Sequence, residues 1–285
     1  MVHKLRDSFC VFILSHGRPD NIKTLRLLER LNYDGPLHIL IDNEDSTAEQ
    51  YYNNFGDKVI MFDKMQQASK LDPADNFNDR RTIIYARNAC FDVAKELGYE
   101  YFLELDDDYT EFAYRFKKGS KLANKKAQDI NLVFEAFLQF LDDTKADTVA
   151  FAQGGDFIGG LDGGVFKKGL IRKAMNSFFF RTDSDLRFVG RINEDVNTYC
   201  NLGSKGRLFL TYTKFYLNQE TTQKSEGGMS DVYLASGTYL KSFYTIIFNP
   251  SSVKIKLMGN KNMRMHHSIN WNNTVPKIIN EKYKK

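Results

Sequence analysis

Blocks of apolar residues separated by short polar turns run through the first third of the chain. Phe9 to Leu14 is unbroken apolar sequence, the pattern of a strand buried on both faces of a sheet. Beyond Ser15-His16-Gly17, the stretch Arg18-Pro19-Asp20 predicts the opening of a helix with Ile22, Leu25, Leu28 and Leu31 on one face. Leu37 to Ile41 reads as a second strand that ends in the polar loop Asp42-Asn43-Glu44-Asp45. Ser46-Thr47-Ala48-Glu49 has capping-box spacing and predicts a second helix ending near Gly56, with Val59 to Phe62 as a third strand.

After a polar stretch from Asp63 to Asp79, the residues Ile83, Ala86, Cys90, Val93, Ala94 and Leu97 recur at helical spacing and stop at Gly98. Tyr101 to Leu105 is the next strand and runs into Asp106-Asp107-Asp108. Ile130, Val133, Phe134, Phe137, Leu138 and Leu141 mark a further helix. Repeated strand–helix alternation predicts an α/β fold, a mostly parallel sheet with helices on both sides. Farther on the pattern is mixed, with short strands expected at Thr148–Ala152, Gly164–Phe166, Arg207–Thr211 and Tyr244–Phe248. No Pro/Ser-rich linker separates the halves, so 1–285 reads as one domain with an elaborated C-terminal half, 111–285.

Composition changes this picture only by exclusion. Hydrophobic residues make up 42% and charged residues 27%, and five prolines leave no low-complexity segment, as in ordinary globular proteins. Phe9–Leu14 is far shorter than the roughly 18 apolar residues of a membrane span, and no small-residue cleavage site follows it. The expectation is a cytoplasmic protein with no membrane partner. Cys10, Cys90 and Cys200 are too scattered for a disulfide framework or a zinc cluster and are expected as buried thiols. The net charge of +4 permits a nucleic-acid partner without requiring one. Candidate phosphate contacts are Lys117-Lys118, Lys121, Lys125-Lys126, Lys167-Lys168 and the tail Lys282-Tyr283-Lys284-Lys285; each is otherwise a solubilising surface group.

The most informative chemistry is Leu103-Glu104-Leu105-Asp106-Asp107-Asp108-Tyr109. An apolar strand ending in carboxylates puts acidic oxygens at the carboxyl edge of a parallel sheet, where open α/β folds bind ligands. Three adjacent carboxylates repel one another unless a cation sits among them. If strand geometry continues, Asp106 and Asp108 project to one side and can share a divalent metal that grips a diphosphate. The alternative is a solvated acidic turn.

The strand with Ser15-His16-Gly17-Arg18-Pro19, then Ala86-Arg87-Asn88-Ala89, then the strand with Asp106-Asp107-Asp108, resembles in order the GT-A glycosyltransferases. The likeness covers residues 8 to 110 well and the remainder loosely. It implies a Rossmann-like nucleotide-sugar-binding half, 1–110, a UDP-sugar donor, and Mn2+ or Mg2+ at Asp106 and Asp108. Ser15 and Arg18 fall in the donor-nucleotide loop, and Asp106 and Asp107 beside the donor. Asp42 matches the position that contacts uracil or ribose, with a turn aspartate as the alternative. Arg87 is a candidate fork for phosphate, or an exposed helical arginine.

Asn193-Glu194-Asp195-Val196 resembles the acidic pair that opens a helix in inverting members of the class. There Asp195 takes the proton of the acceptor hydroxyl, with Glu194 in reserve; the alternative is a pair of carboxylates favoured by the helix dipole. In Met263-Arg264-Met265-His266-His267-Ser268, the resemblance implies a histidine that completes the metal site. His267 is preferred over His266, and Arg264 is a clamp for the leaving diphosphate. Both histidines on the surface is the alternative. Gly154 to Gly164 is read as a floor near the acceptor, and Thr221 to Gly237 as a long loop, either a lid or disordered.

Compact size and the order of these motifs resemble bacteriophage DNA-base glycosyltransferases. That implies a hydroxymethylated pyrimidine in DNA as acceptor, reached in the host cytoplasm. Trp271, the only tryptophan, would stack on a base or sugar or else be a buried anchor. A polysaccharide or protein acceptor and a non-catalytic nucleotide or nucleic-acid binding module are the remaining readings. Oligomeric state is left open.

Overall fold

The computed structural model describes residues 8–162, 165–219, 232, 239–259, 263–275 and 278–284. Its frame is one ten-stranded sheet. The first half alternates strand and helix as the pattern requires: β1 Phe9–Leu14, α1 Lys23–Arg30, β2 Leu37–Asp42, α2 Ala48–Phe55, β3 Val59–Phe62, the short α3 Lys64–Ala68, α4 Ile84–Glu96 and β4 Tyr101–Asp106. Strands β3-β2-β1-β4 lie side by side and all parallel. Glycines at positive φ, Gly56 and Gly98, follow α2 and α4 where an L side chain would be strained.

β1 explains the layering. Phe9, Val11 and Ile13 point into one layer, with Leu25 and Leu28 of α1 and Phe134 and Phe137 of α5 (Asn131–Thr144). Cys10, Phe12 and Leu14 point into the other, with Ile84, Ala89 and Phe91 of α4. A strand covered on both faces must be apolar at every position, and this one is. In β4 the same alternation sends Leu103 and Leu105 to the α1–α5 layer, while Phe102 and Glu104 face α4. All three cysteines are free and buried.

Beyond β4 the sheet turns mixed. β9 (Ser177–Arg181) pairs antiparallel with β4 and with β7 (Thr148–Gln153), and β10 (Phe209–Gln219) runs parallel to β7. The hairpin of β5 (Tyr109–Lys118) and β6 (Lys121–Lys126) closes the far edge, and β8 (Leu170–Ile171) pairs with β10. A second hairpin, β11 (Val253–Met258) with β12 (Arg264–Ile269), packs beside α7 (Glu194–Ser204) and α8 (Leu240–Phe248).

Several sequence expectations are corrected. Val165–Lys168 forms a short helix, α6, where a strand was expected, and the apolar run at Tyr244–Phe248 is helical. Tyr244 and Thr245 are buried while Ile247 is 57% exposed, a one-sided face that so short an apolar run does not reveal. The capping box at Ser46–Glu49 does not form; Asp45 instead accepts both the backbone N–H and the hydroxyl of Thr47, at 2.8 and 2.7 Å. α1 starts at Lys23, later than Arg18-Pro19-Asp20 suggests.

Candidate active site

Asp106 is the last residue of β4, and Asp107 and Asp108 make the turn into β5, so strand geometry stops before Asp108. Asp107 faces inward. Its oxygens accept from Ser15 Oγ at 2.6 Å and Arg18 Nη1 at 2.9 Å. Tyr51 OH bonds Ser15 Oγ at 2.7 Å and accepts the Arg18 backbone N–H at 2.8 Å. Thr24, fully buried, donates to the Asp106 carbonyl at 2.5 Å, accepts the Tyr109 N–H at 3.0 Å, and gives its own N–H to the Asp107 carbonyl. These contacts lock the turn to the loop after β1 and to the start of α1.

Asp42, at the end of β2, is buried, and its oxygens meet His16 Nδ1 at 2.8 Å, Lys64 Nζ at 3.2 Å and the Glu44 N–H at 3.1 Å. Burial pushes the carboxyl up, but the His16 hydrogen bond and the Lys64 charge outweigh it and hold Asp42 below its usual value. The same hydrogen bond draws His16 above its ordinary value against the effect of burial. His16 is 38% exposed and is the open member of this group.

Arg87 does not reach outward as a phosphate fork. Its side chain is 2% exposed, and the guanidinium lies over the Phe178 ring at 4.9 Å. Nε donates to Glu194 Oε1 at 2.9 Å, Nη2 to Asp106 Oδ1 at 3.0 Å, and Nη1 stands 3.6 Å from Glu104 Oε2. One cation thus joins the end of β4 to the start of α7. Burial pushes Glu104 well above the usual carboxylate range despite Arg87. Asp106 is pushed up to about 6 by burial, with Glu194 and Asp107 adding to it and Arg87 opposing. Asp195 is pushed up to about 7, first by burial and then by the neighbouring Glu194 charge. Its Oδ1 accepts the Val196 N–H at 2.6 Å.

His267 comes to the same region from β12, with Nδ1 3.5 Å from Asn193 Nδ2. Asn193 sits at φ +64° before α7 and donates to Thr245 Oγ1 at 2.6 Å. Burial, with the His266 and Lys241 charges, pushes His267 down to about 4, so it is neutral at pH 7. The two imidazoles are 4.3 Å apart, and His266 Nδ1 meets the His267 carbonyl at 2.8 Å. Among the described residues no three His, Cys, Asp or Glu form a group able to hold a metal by themselves. The oxygens at Asp106 and Asp108 are hard donors suited to Mg2+ or Mn2+, and a site of this kind takes its remaining ligands from substrate phosphates.

Of the other candidates, Arg264 lies on β12 with its side chain outside the described residues. Trp271 opens α9 (Trp271–Thr274), stacks on Tyr199 of α7 at 6.0 Å, and keeps 43% exposure, part anchor and part open face. Gly154–Phe157 forms a tight turn in which Asp156 accepts the Gln153 N–H and pairs with Lys173; Gly163 and Gly164 lie outside the described residues. So does Thr221 to Gly237, except Val232, which is buried with Ile192 and Tyr244. Sequence reading missed Thr24, Tyr51, Lys64 and Asp45, whose Oδ2 accepts the Gly17 N–H of the loop after β1 at 2.7 Å. Arg87 carried a signal: it shares a helix face with Ile83 and Cys90, so a guanidinium there turns inward.

Parallel strands whose carboxyl edge carries an acidic turn, backed by a mixed second half, form the α/β frame expected from the sequence. The chain belongs to the TET-associated glycosyltransferase family, whose model matches residues 9–228. No curated protein matches it significantly. Among solved structures it is similar to glucosyl-3-phosphoglycerate synthase from Mycobacterium tuberculosis in complex with Mn2+, UDP and phosphoglyceric acid. That match has 8% identity and a TM-score of 0.48, covering 94% of this chain and 91% of the other. The same enzyme with Mg2+ and UDP gives 9%, 0.48, 94% and 92%. S. aureus TarS 1–349 gives 16% identity and a TM-score of 0.39, covering 84% of this chain and 65% of that one. No helix among the described residues is long and apolar enough to cross a membrane.

Proposed function

We propose that this glycosyltransferase moves a sugar from a UDP-sugar to the hydroxyl of a hydroxymethylated pyrimidine in DNA, with inversion at the sugar carbon. The observation that carries the reading is the Arg87 bridge, which sets the acidic end of β4 against the carboxylates that open α7. Family membership supports sugar transfer, and the family's association with TET enzymes favours a modified base as acceptor.

Asp106 and Asp108 would hold a divalent cation, Mn2+ or Mg2+, with the donor diphosphate completing the shell; His267 is the further candidate ligand and His266 the reserve. Bound there, the ion supplies charge neutralisation for the leaving diphosphate. His16, held by Asp42, faces the donor's uridine end, with Ser15, Arg18 and Asp107 shaping the loop beneath it. Arg264 is the candidate clamp for the leaving diphosphate. Asp195 accepts the proton of the acceptor hydroxyl as the oxygen attacks the sugar carbon in line with the departing diphosphate. Arg87 positions Asp106 and Glu194 and does not touch the donor. The reaction runs in the cytoplasm, that of the host if the chain is phage-encoded.

Calorimetric titration of UDP with and without Mn2+ tests the donor half. Asp108→Asn should abolish the Mn2+-dependent part of UDP binding while the circular dichroism spectrum stays unchanged. Equal UDP affinity with Mn2+ and with excess chelator would contradict it.

A further inference from the structure

The charge of the molecule is concentrated on one element. The β5–β6 hairpin, 109–126, carries Arg115, Lys117, Lys118, Lys121, Lys125 and Lys126 against the single acid Glu111, a net +5. The whole chain is +4, so everything outside the hairpin sums to −1. Register divides these groups between two faces. Arg115, Lys117 and Lys126 lie on the side of Leu122 and Asn124. There Arg115 stacks on Phe157 and Tyr216, and Lys126 pairs with Glu111 at 3.0 Å.

The other face aligns Tyr114 with Lys125, Phe116 with Ala123, and Lys118 with Lys121. It holds no acid. Phe112, on the same side, is buried against Phe134 of α5, but two residues on Tyr114 is 44% exposed and Phe116 is 40% exposed. Lysine alone on an edge strand serves to prevent strand pairing. Two half-exposed aromatic rings, Tyr114 edge-on to Phe215 at 5.1 Å and Phe116, do not, and Lys118 lies on the inner strand. Aromatic rings flanked by cations are the chemistry of a surface that follows a nucleic-acid backbone and stacks its bases.

We infer that this face, Tyr114, Phe116, Lys118, Lys121 and Lys125, is the surface that holds the acceptor DNA. The inference rests on the DNA-acceptor reading and adds the place of contact. β5 starts at the residue after Asp108, so the face lies at most about 20 to 33 Å from the acidic turn at roughly 3.3 Å per residue. At about 3.4 Å per base step, roughly six to ten steps of DNA bridge that distance. Two lysines of the C-terminal tail are already paired. Lys282 pairs with Asp147 and Lys284 with Glu281.

The test is fluorescence anisotropy of labelled DNA with the full chain across a salt series. Substituting Lys118, Lys121 and Lys125 by Gln should lower the slope of log affinity against log salt by about 3, one for each phosphate contact. A matched triple of Lys58→Gln, Lys95→Gln and Lys145→Gln should leave the slope unchanged. Tyr114→Ala should weaken single-stranded DNA more than duplex without changing the slope. Identical slopes for the hairpin triple and the unsubstituted protein overturn the inference, as does equal loss in the matched triple. The two readings separate cleanly. If the hairpin triple keeps its DNA affinity while sugar is still transferred to hydroxymethylated DNA, the surface is misplaced and the acceptor stands. If the hairpin governs DNA binding but no sugar is transferred, the acceptor falls and the surface stands.

Discussion

Asp195 gains its basicity from where the chain puts it. Burial and the charge of Glu194 raise it to about 7, within reach of a hydroxyl's needs near neutral pH. A base works deprotonated, so kcat should rise as pH climbs through about 7 and level above it. Asp195→Asn should lower kcat by about 10²-fold or more and leave donor affinity intact. Glu194→Gln removes the charge that raises Asp195, so the midpoint of the pH–rate profile should move down. A midpoint that stays in place, measured by steady-state kinetics, would show that Asp195 is not the titrating group. Arg87 teaches the companion lesson. Its type suggested phosphate, whereas its position on the helix face of Ile83 and Cys90 dictated burial. Arg87→Leu leaves Asp106 and Glu194 without their buried partner and should cost about 3–5 kcal/mol, read by urea unfolding.

Among elements, most of the first half was legible and two hairpins were not. β1, β2, β3, β4, α4 and α5 follow from apolar runs and helical stripes, and their ends shift by a residue or two. The β5–β6 and β11–β12 hairpins were not among the expected strands, although Phe112, Tyr114 and Phe116 in β5 and Val253, Ile255 and Leu257 in β11 recur at every second residue. Placing His267 beside α7 depends on the second of them. The C-terminal segment is tied down by Asp147, which accepts from Arg207 Nε at 2.9 Å, Lys282 Nζ at 2.9 Å and Tyr283 OH. Burial raises Asp147, but these partners outweigh it and hold its folded value below normal. Its contribution is therefore complete above the unfolded value of about 3.9 and is lost as pH falls through the lower folded one. Asp147→Asn should flatten that acid limb of the stability curve, measured by denaturant titration at stepped pH. An unchanged limb would place the tie elsewhere.

For the molecule as a whole, sequence order made the parallel half, β1 to β4, readable, since helices alternate with its strands along the chain. The site's second half is assembled from α4, α7 and β12, which meet only in the folded chain. Composition did not reveal the basic hairpin because the net charge averages it against a slightly acidic remainder. The most direct test of the account is to incubate the protein with Mn2+ and a panel of UDP-sugars on hydroxymethylated DNA, then digest to nucleosides and weigh them. The account predicts a hydroxymethylpyrimidine nucleoside heavier by one sugar, absent with excess chelator, with Asp108→Asn and on unmodified DNA. Hydrolysis of the UDP-sugar with no glycosylated nucleoside, from any donor in the panel, would contradict it.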